Sequence, residues 1–186
     1  NSFASLSDED LLAKFMEDNF SDICSNISNI SVDFFDNPVG RLIGLRNDKW
    51  YHKGKAMVIG DAAHATVPFF GQGMNASFED CYIFSNLLAN NKEKNWSSVF
   101  KEFNSIRKKD ADALLDLSLG NYKVMRSEVL DSRHIQRQEL SFKLYSDFPK
   151  HFIPLYTMVS FTDIPYHIAL KRGLIQEKIL DNLSEK

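Results

Sequence analysis

The chain has 186 residues, with 22 Lys and Arg against 25 Asp and Glu, a net charge of -3 and 44% hydrophobic residues. That is enough apolar material for a core, while the slightly acidic balance excludes the basic footprint of a nucleic-acid binder. Cys24 and Cys81 lie far apart and the five histidines are scattered, so neither a metal site nor a disulfide framework is expected, and a reducing compartment is the default.

The first residues carry no signal-peptide pattern, and no apolar run approaches the ~18 residues that span a bilayer, so a soluble chain is expected. It starts at Asn1 without Met, which reads as a processed chain or a fragment. Ser7 with Asp10 resembles a capping box, and Leu11, Leu12, Phe15 and Met16 recur at helical spacing, predicting a helix of about three turns. Ile30 to Phe35 is β-branched and aromatic, and Arg41 to Arg46 is a second short extended segment, so the two read as strands. Ala56 to Ile59 is a short apolar strand. Phe78, Cys81, Tyr82, Leu87 and Leu88 form a helical stripe within residues 75–90, ended by Asn90-Asn91-Lys92. Ser97 is the predicted cap of a long helix carrying Phe100, Phe103, Ile106, Leu114 and Leu117, interrupted at Gly120. A more polar helix is expected from Arg133 to Lys143, broken by Pro149 and Pro154, and Tyr156 to Lys178 reads as mixed extended and helical. The fifteen phenylalanines read mainly as core, with some free to line a flat apolar pocket. The fold class is α/β, or α+β within this chain.

The chemistry concentrates in residues 57–80. A strand ending in Gly60-Asp61 puts an acceptor-only carboxylate past the sheet edge, suited to sugar or ribityl hydroxyls, with a glycine that lets a ligand approach the backbone. Taken alone, Gly-Asp is more often a turn or N-cap aspartate. Gly71-Gln72-Gly73-Met74-Asn75 then offers permissive glycines and free N–H groups at a helix start, whose partial positive charge stabilises an anion. His64 sits in a small-residue run, where a buried, hydrogen-bonded histidine is the commoner outcome than a base.

Gly60-Asp61-Ala62-Ala63-His64, then Pro68, then Gly71-Gln72-Gly73-Met74-Asn75 resemble the second FAD-binding motif of the single-component aromatic-ring flavoprotein hydroxylases. The longer string from Val67 to Cys81 is most similar to the branch that hydroxylates kynurenine. Residues 34–40, 120–126 and 155–161 agree with that branch, so the resemblance covers roughly Phe34 to Lys178.

The resemblance implies the C-terminal part of an FAD-dependent aromatic hydroxylase fold: a strand-loop-helix FAD site, then a mainly helical region. Residues 1–56 would end a substrate-side sheet region, 57–92 would hold the FAD motif and its helix, and 93–186 would be the helical remainder. It also implies hydroxylation of L-kynurenine to 3-hydroxykynurenine in tryptophan degradation, with FAD as cofactor, NADPH as co-substrate and O2 consumed. Asp61 would bind the ribityl chain; Pro68, Gly71, Gln72, Gly73, Met74 and Asn75 would line the flavin. Phe69 and Phe70 would face the substrate ring, with Asn121, Met125 and Tyr156 toward its amino-acid part. Asn121 and Met125 stand four apart, so one helix face would present both. No residue is assigned as a proton-transfer catalyst. The family's GxGxxG turn for the ADP half of FAD is absent from this sequence, so the N-terminal half of the same enzyme is the expected partner. The polar run Leu180 to Lys186 implies a cytoplasmic enzyme, or a mitochondrial outer-membrane one cut before its anchor. The other readings open at this point are a related hydroxylase of another aromatic substrate and a non-catalytic remnant kept as an interaction module.

Overall fold

A computed structural model describes residues 3–92 and 95–184; Glu185 and Lys186, which close the polar run predicted at the end of the chain, lie outside it. The chain divides into two compact units, Asn1–Leu42 and Ile43–Lys186.

The first unit is helical. Helix α1 spans Glu9–Cys24 and is capped by Asp8, whose carboxylate accepts from the Leu11 N–H at 3.0 Å. The cap is therefore Asp8 and not Ser7, which instead donates to Asp8 Oδ2; a carboxylate at the positive helix end is favoured over a hydroxyl. Non-helical backbone at Phe20 kinks the helix. Ile30 to Phe35, expected as a strand, lies in helix α2 (Ile30–Asp36). Its residues 30–35 fit both periods, alternating as Ile30, Val32 and Phe34 and also pairing Ile30 with Phe34 at i,i+4. The burial follows the helical period: Ile30, Ser31 and Phe34 are half-buried while Val32 and Phe35 are exposed. With no strand among the described residues of this unit to pair with, local helical bonds win. Arg41–Arg46, the other expected strand, forms no ladder among the described residues.

The second unit opens on a two-stranded antiparallel ribbon, β1 (Tyr51–His52) and β2 (Ala56–Met57), with Tyr51 opposite Met57. The predicted strand reaches only Met57; Val58 adds one bond, donating to Trp50 O at 2.8 Å, before the chain leaves for Gly60. Helix α3 (Asp61–His64), a 3-10 turn (Pro68–Phe70) and helix α4 (Gly73–Asn90) follow. Helix α4 ends where predicted and starts two residues earlier.

Helix α5 (Trp96–Lys123) is capped by Asn95, not Ser97: Asn95 Oδ1 accepts from the Ser98 N–H at 3.2 Å. Gly120 does not interrupt it. Glycine costs a helix interior only about 1 kcal/mol, which the buried Leu114, Leu117 and Ser118 just before it offset. The break comes later, as a wide π turn at Val124–Glu128. Helix α6 (Ser132–Asp147) brackets its predicted span, capped by Asp131. The mixed segment predicted from Tyr156 is helical: α7 (Leu155–Phe161) and α8 (Tyr166–Ser184). Pro154 and Pro165 precede these helices and start them, since a proline loses nothing where no intrahelical N–H bond exists.

Two apolar clusters hold this unit. Phe70, Ala76, Leu114, Leu117, Met158 and Ala169 join the 3-10 turn to α4, α5, α7 and α8. Trp50, Ala63, Phe103 and Ala111 join the ribbon and α3 to α5. The long α5 serves both, so it is the frame on which the 57–80 segment is mounted. Only Phe70, Phe100, Phe103 and Phe152 of the phenylalanines are buried, fewer than a core-only reading requires. Among the described residues no helix is long and apolar enough to cross a membrane.

Candidate functional site

The path from β2 to α4 is set by two glycines with positive φ. Gly60 has φ 59° and ψ -144°, a region open to glycine almost alone, and a side chain there would also meet Ser77 Oγ at 3.1 Å. Gly71 has φ 67° and closes the Pro68–Phe70 turn, its N–H donating to Pro68 O at 3.1 Å. A Cβ on Gly71 would touch nothing within 4 Å, so the space beside this turn is open.

From Gly60 onward the chain presents three features in order. Asp61 begins α3 and is exposed, with Gly60 rather than Asp61 at the cap position. Pro68 is exposed, Phe69 half-buried and Phe70 buried. Helix α4 then starts at Gly73, whose first bond back is from the Ala76 N–H to Gln72 O. The N–H groups of Gly73, Met74 and Asn75 precede that bond and are the groups a helix leaves free at its start.

A buried charge network lies beneath this surface. Asp80 is 0% exposed and Arg107 1%. Asp80 Oδ2 accepts from the Gly60 N–H at 3.0 Å and from His64 Nε2 at 2.6 Å, while Oδ1 accepts from Arg107 Nε at 2.6 Å. Arg107 also donates to Ala76 O at 3.2 Å and pairs with Glu79 at 2.8 Å. Burial alone would raise the Asp80 pKa, but the bonds from His64, Arg107 and Gly60 together hold it below the ordinary carboxylate range. Burial likewise works against the Arg107 charge, and Asp80 and Glu79 outweigh it, leaving its pKa raised. An ionised carboxylate only accepts, so His64 Nε2 carries the hydrogen of that bond. His64 is thus buried and bonded, as the small-residue run suggested.

Gln72 is buried, and its Oε1 accepts from Asn75 Nδ2 at 2.9 Å and from the Tyr166 hydroxyl at 3.3 Å. Burial, reinforced by the charge of Glu79, pushes the Tyr166 phenol up to about 12, so it stays a neutral donor. The side chains of Gln72 and Asn75 are therefore committed to each other, and what they leave free toward a ligand is chiefly backbone. A cleft of about 410 Å³ opens beside them, lined also by Glu79, Phe161, Asp163 and Tyr166.

The residues expected around a substrate come together from distant parts of the chain. Asn121 Nδ2 donates to Phe69 O at 2.6 Å and lies 3.9 Å from Met125 Sδ. Phe70 stacks on Tyr156 at 5.5 Å, Tyr156 meets Phe161 edge-on at 6.2 Å, and Phe69 lies over Tyr122 at 4.7 Å. Met125 and Tyr156 are more than half exposed. The π turn that follows Asn121 lies on this side, and such turns often occur at functional sites. Sequence reasoning missed Asp80, Arg107, Tyr122 and Tyr166. The signal for Arg107 was present: a lone charge in the stripe Phe100, Phe103, Arg107, Ala111, Leu114.

The donor and acceptor set suits one half of FAD. An exposed carboxylate can accept ribityl hydroxyls, and a glycine turn with open space before a free helix start can meet an electron-rich ring edge. Nothing here matches the glycine-rich turn that receives the pyrophosphate. Among the described residues no cluster of three metal-ligating side chains occurs.

Residues 45–118 match the FAD binding domain family. The chain is 40% identical over 182 residues to a kynurenine 3-monooxygenase of Cytophaga hutchinsonii, covering 98% of this chain and 40% of that protein. It is 38% identical over 184 residues to one from Myxococcus xanthus, covering 99% and 39%, and 32% identical over 193 residues to one from Dictyostelium discoideum, covering 98% and 42%. The expected resemblance to kynurenine 3-monooxygenase thus runs along nearly the whole chain, and the α+β class with an FAD binding domain segment is as expected. The chain spans about two fifths of the length of the curated relatives it matches.

Proposed function

We propose that this chain is the C-terminal part of an FAD-dependent, NADPH-consuming monooxygenase that hydroxylates L-kynurenine at ring position 3. The observation that carries the reading is the continuous run of exposed Asp61, the Pro68–Phe70 turn and the free start of α4, held against Asn121 and Tyr156. A carboxylate for hydroxyls, a helix start for a polar ring edge and an aromatic wall stand in the order an isoalloxazine and its ribityl chain require.

Bound FAD, reduced by NADPH, supplies the activation of O2. The chain's own residues bind and orient. Asp61 accepts hydrogen bonds from ribityl hydroxyls, and the N–H groups of Gly73, Met74 and Asn75, with Gln72 behind them and Gly71 open to the ring, favour negative charge on the pyrimidine edge. Pro68, Phe69 and Phe70 form the wall that excludes water beside the substrate ring. Asn121, whose amide nitrogen donates to Phe69 O and to Met125 Sδ, keeps its carbonyl oxygen for the amino-acid part of kynurenine, with the Tyr156 hydroxyl beside it. An aminobenzene ring is electron-rich, so the reaction requires no strong protein base.

The pyrophosphate and adenosine contacts belong in this reading to the N-terminal half of the same polypeptide. Met74, Phe78 and Tyr82 support it: spaced four apart on α4, each is about two thirds exposed, an apolar stripe of the kind that another part of a protein covers. The test is the full-length protein, purified and assayed with kynurenine. Bound flavin and kynurenine-stimulated NADPH oxidation yielding 3-hydroxykynurenine are expected; a protein without flavin, or one whose NADPH oxidation ignores kynurenine, overturns the proposal. The 186 residues alone should barely quench flavin fluorescence, and micromolar binding by them would contradict the division of the FAD site between two halves.

A further inference from the structure

We infer that Asp80 is a positioning residue for the cofactor: through the Gly60 N–H and through Arg107 it sets the spacing between the Asp61 carboxylate and the start of α4. The inference rests on the flavin reading above and adds a residue that touches no ligand.

The geometry is that of a brace. One oxygen of Asp80 holds the Gly60 N–H, in the Ile59–Gly60 peptide unit one residue ahead of Asp61, and also His64 at the end of α3. The other oxygen holds Arg107 Nε, and the same guanidinium reaches Ala76 O in the first turn of α4. One carboxylate and its arginine therefore fasten both halves of the motif, the loop that presents Asp61 and the turn that presents the helix start, to the long helix α5. Gly60 sits at positive φ, held on its carbonyl side by the Ala63 and His64 N–H groups and on its N–H side by Asp80.

Stability alone is a poor reason for this arrangement. A buried ion pair loses hydration on both partners, and well-packed apolar residues often hold a fold equally well. Asp80 and Arg107 are both essentially unexposed. What a hydrogen-bonded pair provides, and a leucine would not, is direction: fixed angles at Gly60 and Ala76 on either side of the space where the ribityl chain would lie.

The test is a double-mutant cycle in the full-length enzyme, reading the FAD dissociation constant of wild type, Asp61→Ala, Asp80→Asn and the double variant. Asp80→Asn should weaken FAD about tenfold in the wild-type background and less than about threefold once Asp61 is gone, because its effect passes through Asp61. The same factor in both backgrounds, or no loss in the wild type, overturns the inference. If Asp61→Ala itself leaves FAD affinity unchanged, it is the flavin reading that fails. Should Asp80→Asn not fold, His64→Gln loosens the same oxygen that holds Gly60. It should then weaken FAD about threefold in wild type and not at all beside Asp61→Ala, and equal effects in both backgrounds overturn the inference as before.

Discussion

The two ends of the candidate site are built from different interactions. Around Gly60 and α3, buried charges with short hydrogen bonds fix the backbone: Asp80, Arg107 and His64 are all under 7% exposed. Around Phe69, Asn121 and Tyr156, one neutral hydrogen bond and a set of ring contacts do the holding, and Tyr156 is 54% exposed. The difference teaches where rigidity is placed. Charged bonds in low dielectric allow one geometry and are costly to break, as suits a cofactor that stays bound. Ring contacts tolerate small shifts, as suits a substrate that enters and leaves.

The largest test of that contrast is Arg107→Met. It leaves Asp80 buried without its partner, and should cost about 3–5 kcal/mol of unfolding free energy in the full-length protein, read by urea titration. A loss under about 1 kcal/mol would mean that the charged end is no more rigid than the aromatic one. The same network fixes the sign of a pH effect. Asp80 has a lowered pKa in the fold, so its contribution is complete above the ordinary carboxylate value and fades as pH falls through the lower folded one. Urea midpoints taken from pH 7 down to pH 3 should decline, and less steeply in Asp80→Asn. A parallel decline in both proteins removes Asp80 as its source.

Asp61→Ala comes next. Losing one or two bonds to a charged acceptor, each worth ~1.5–3 kcal/mol, should lower FAD occupancy while leaving the apoprotein's melting temperature within about two degrees. Lost thermal stability with FAD affinity intact would make Asp61 a turn residue instead.

The smallest effect is expected at the adaptable end. Tyr156→Phe keeps the stacking on Phe70, so the flavin spectrum should not change. Loss of the hydroxyl should reduce kcat/KM for kynurenine by ~0.5–3 kcal/mol, about two- to a hundredfold. Looser placement should also lower the ratio of 3-hydroxykynurenine formed to NADPH consumed, with hydrogen peroxide making up the difference. If that ratio and the kynurenine dependence both hold, Tyr156 is a packing residue.

Much of the site was legible because its signals are local. Gly60-Asp61 and Gly71-Gln72-Gly73 each combine a backbone requirement with a chemical group within a few residues, so their conformation could be read without neighbours. The structure gives Gly60 and Gly71 the positive φ that their permissiveness allows. Helix α4 was equally readable, because its end is marked by asparagines and its stripe by apolar spacing. Ile30 to Phe35 was misread for the opposite reason: its pattern satisfies both periods, and among the described residues of its unit there is no strand to pair with, so helix is what forms. Pro154 was read only as a breaker, although it starts α7, because a proline's sequence does not say which side of it the helix lies on.

By itself the sequence determined the resemblance, the glycine turns with their adjoining carboxylate and the lack of a GxGxxG run in these residues, since each depends on residue types in short order along the chain. Only the tertiary structure decided that Asn121 reaches back 52 residues to the Phe69 carbonyl and that Tyr156 stacks on Phe70. It alone also put Asp80 and Arg107, 27 residues apart, in one buried pair. Those contacts depend on how α4 and α7 settle against α5, and that packing is fixed by the shapes of side chains far apart in sequence, which no local pattern records.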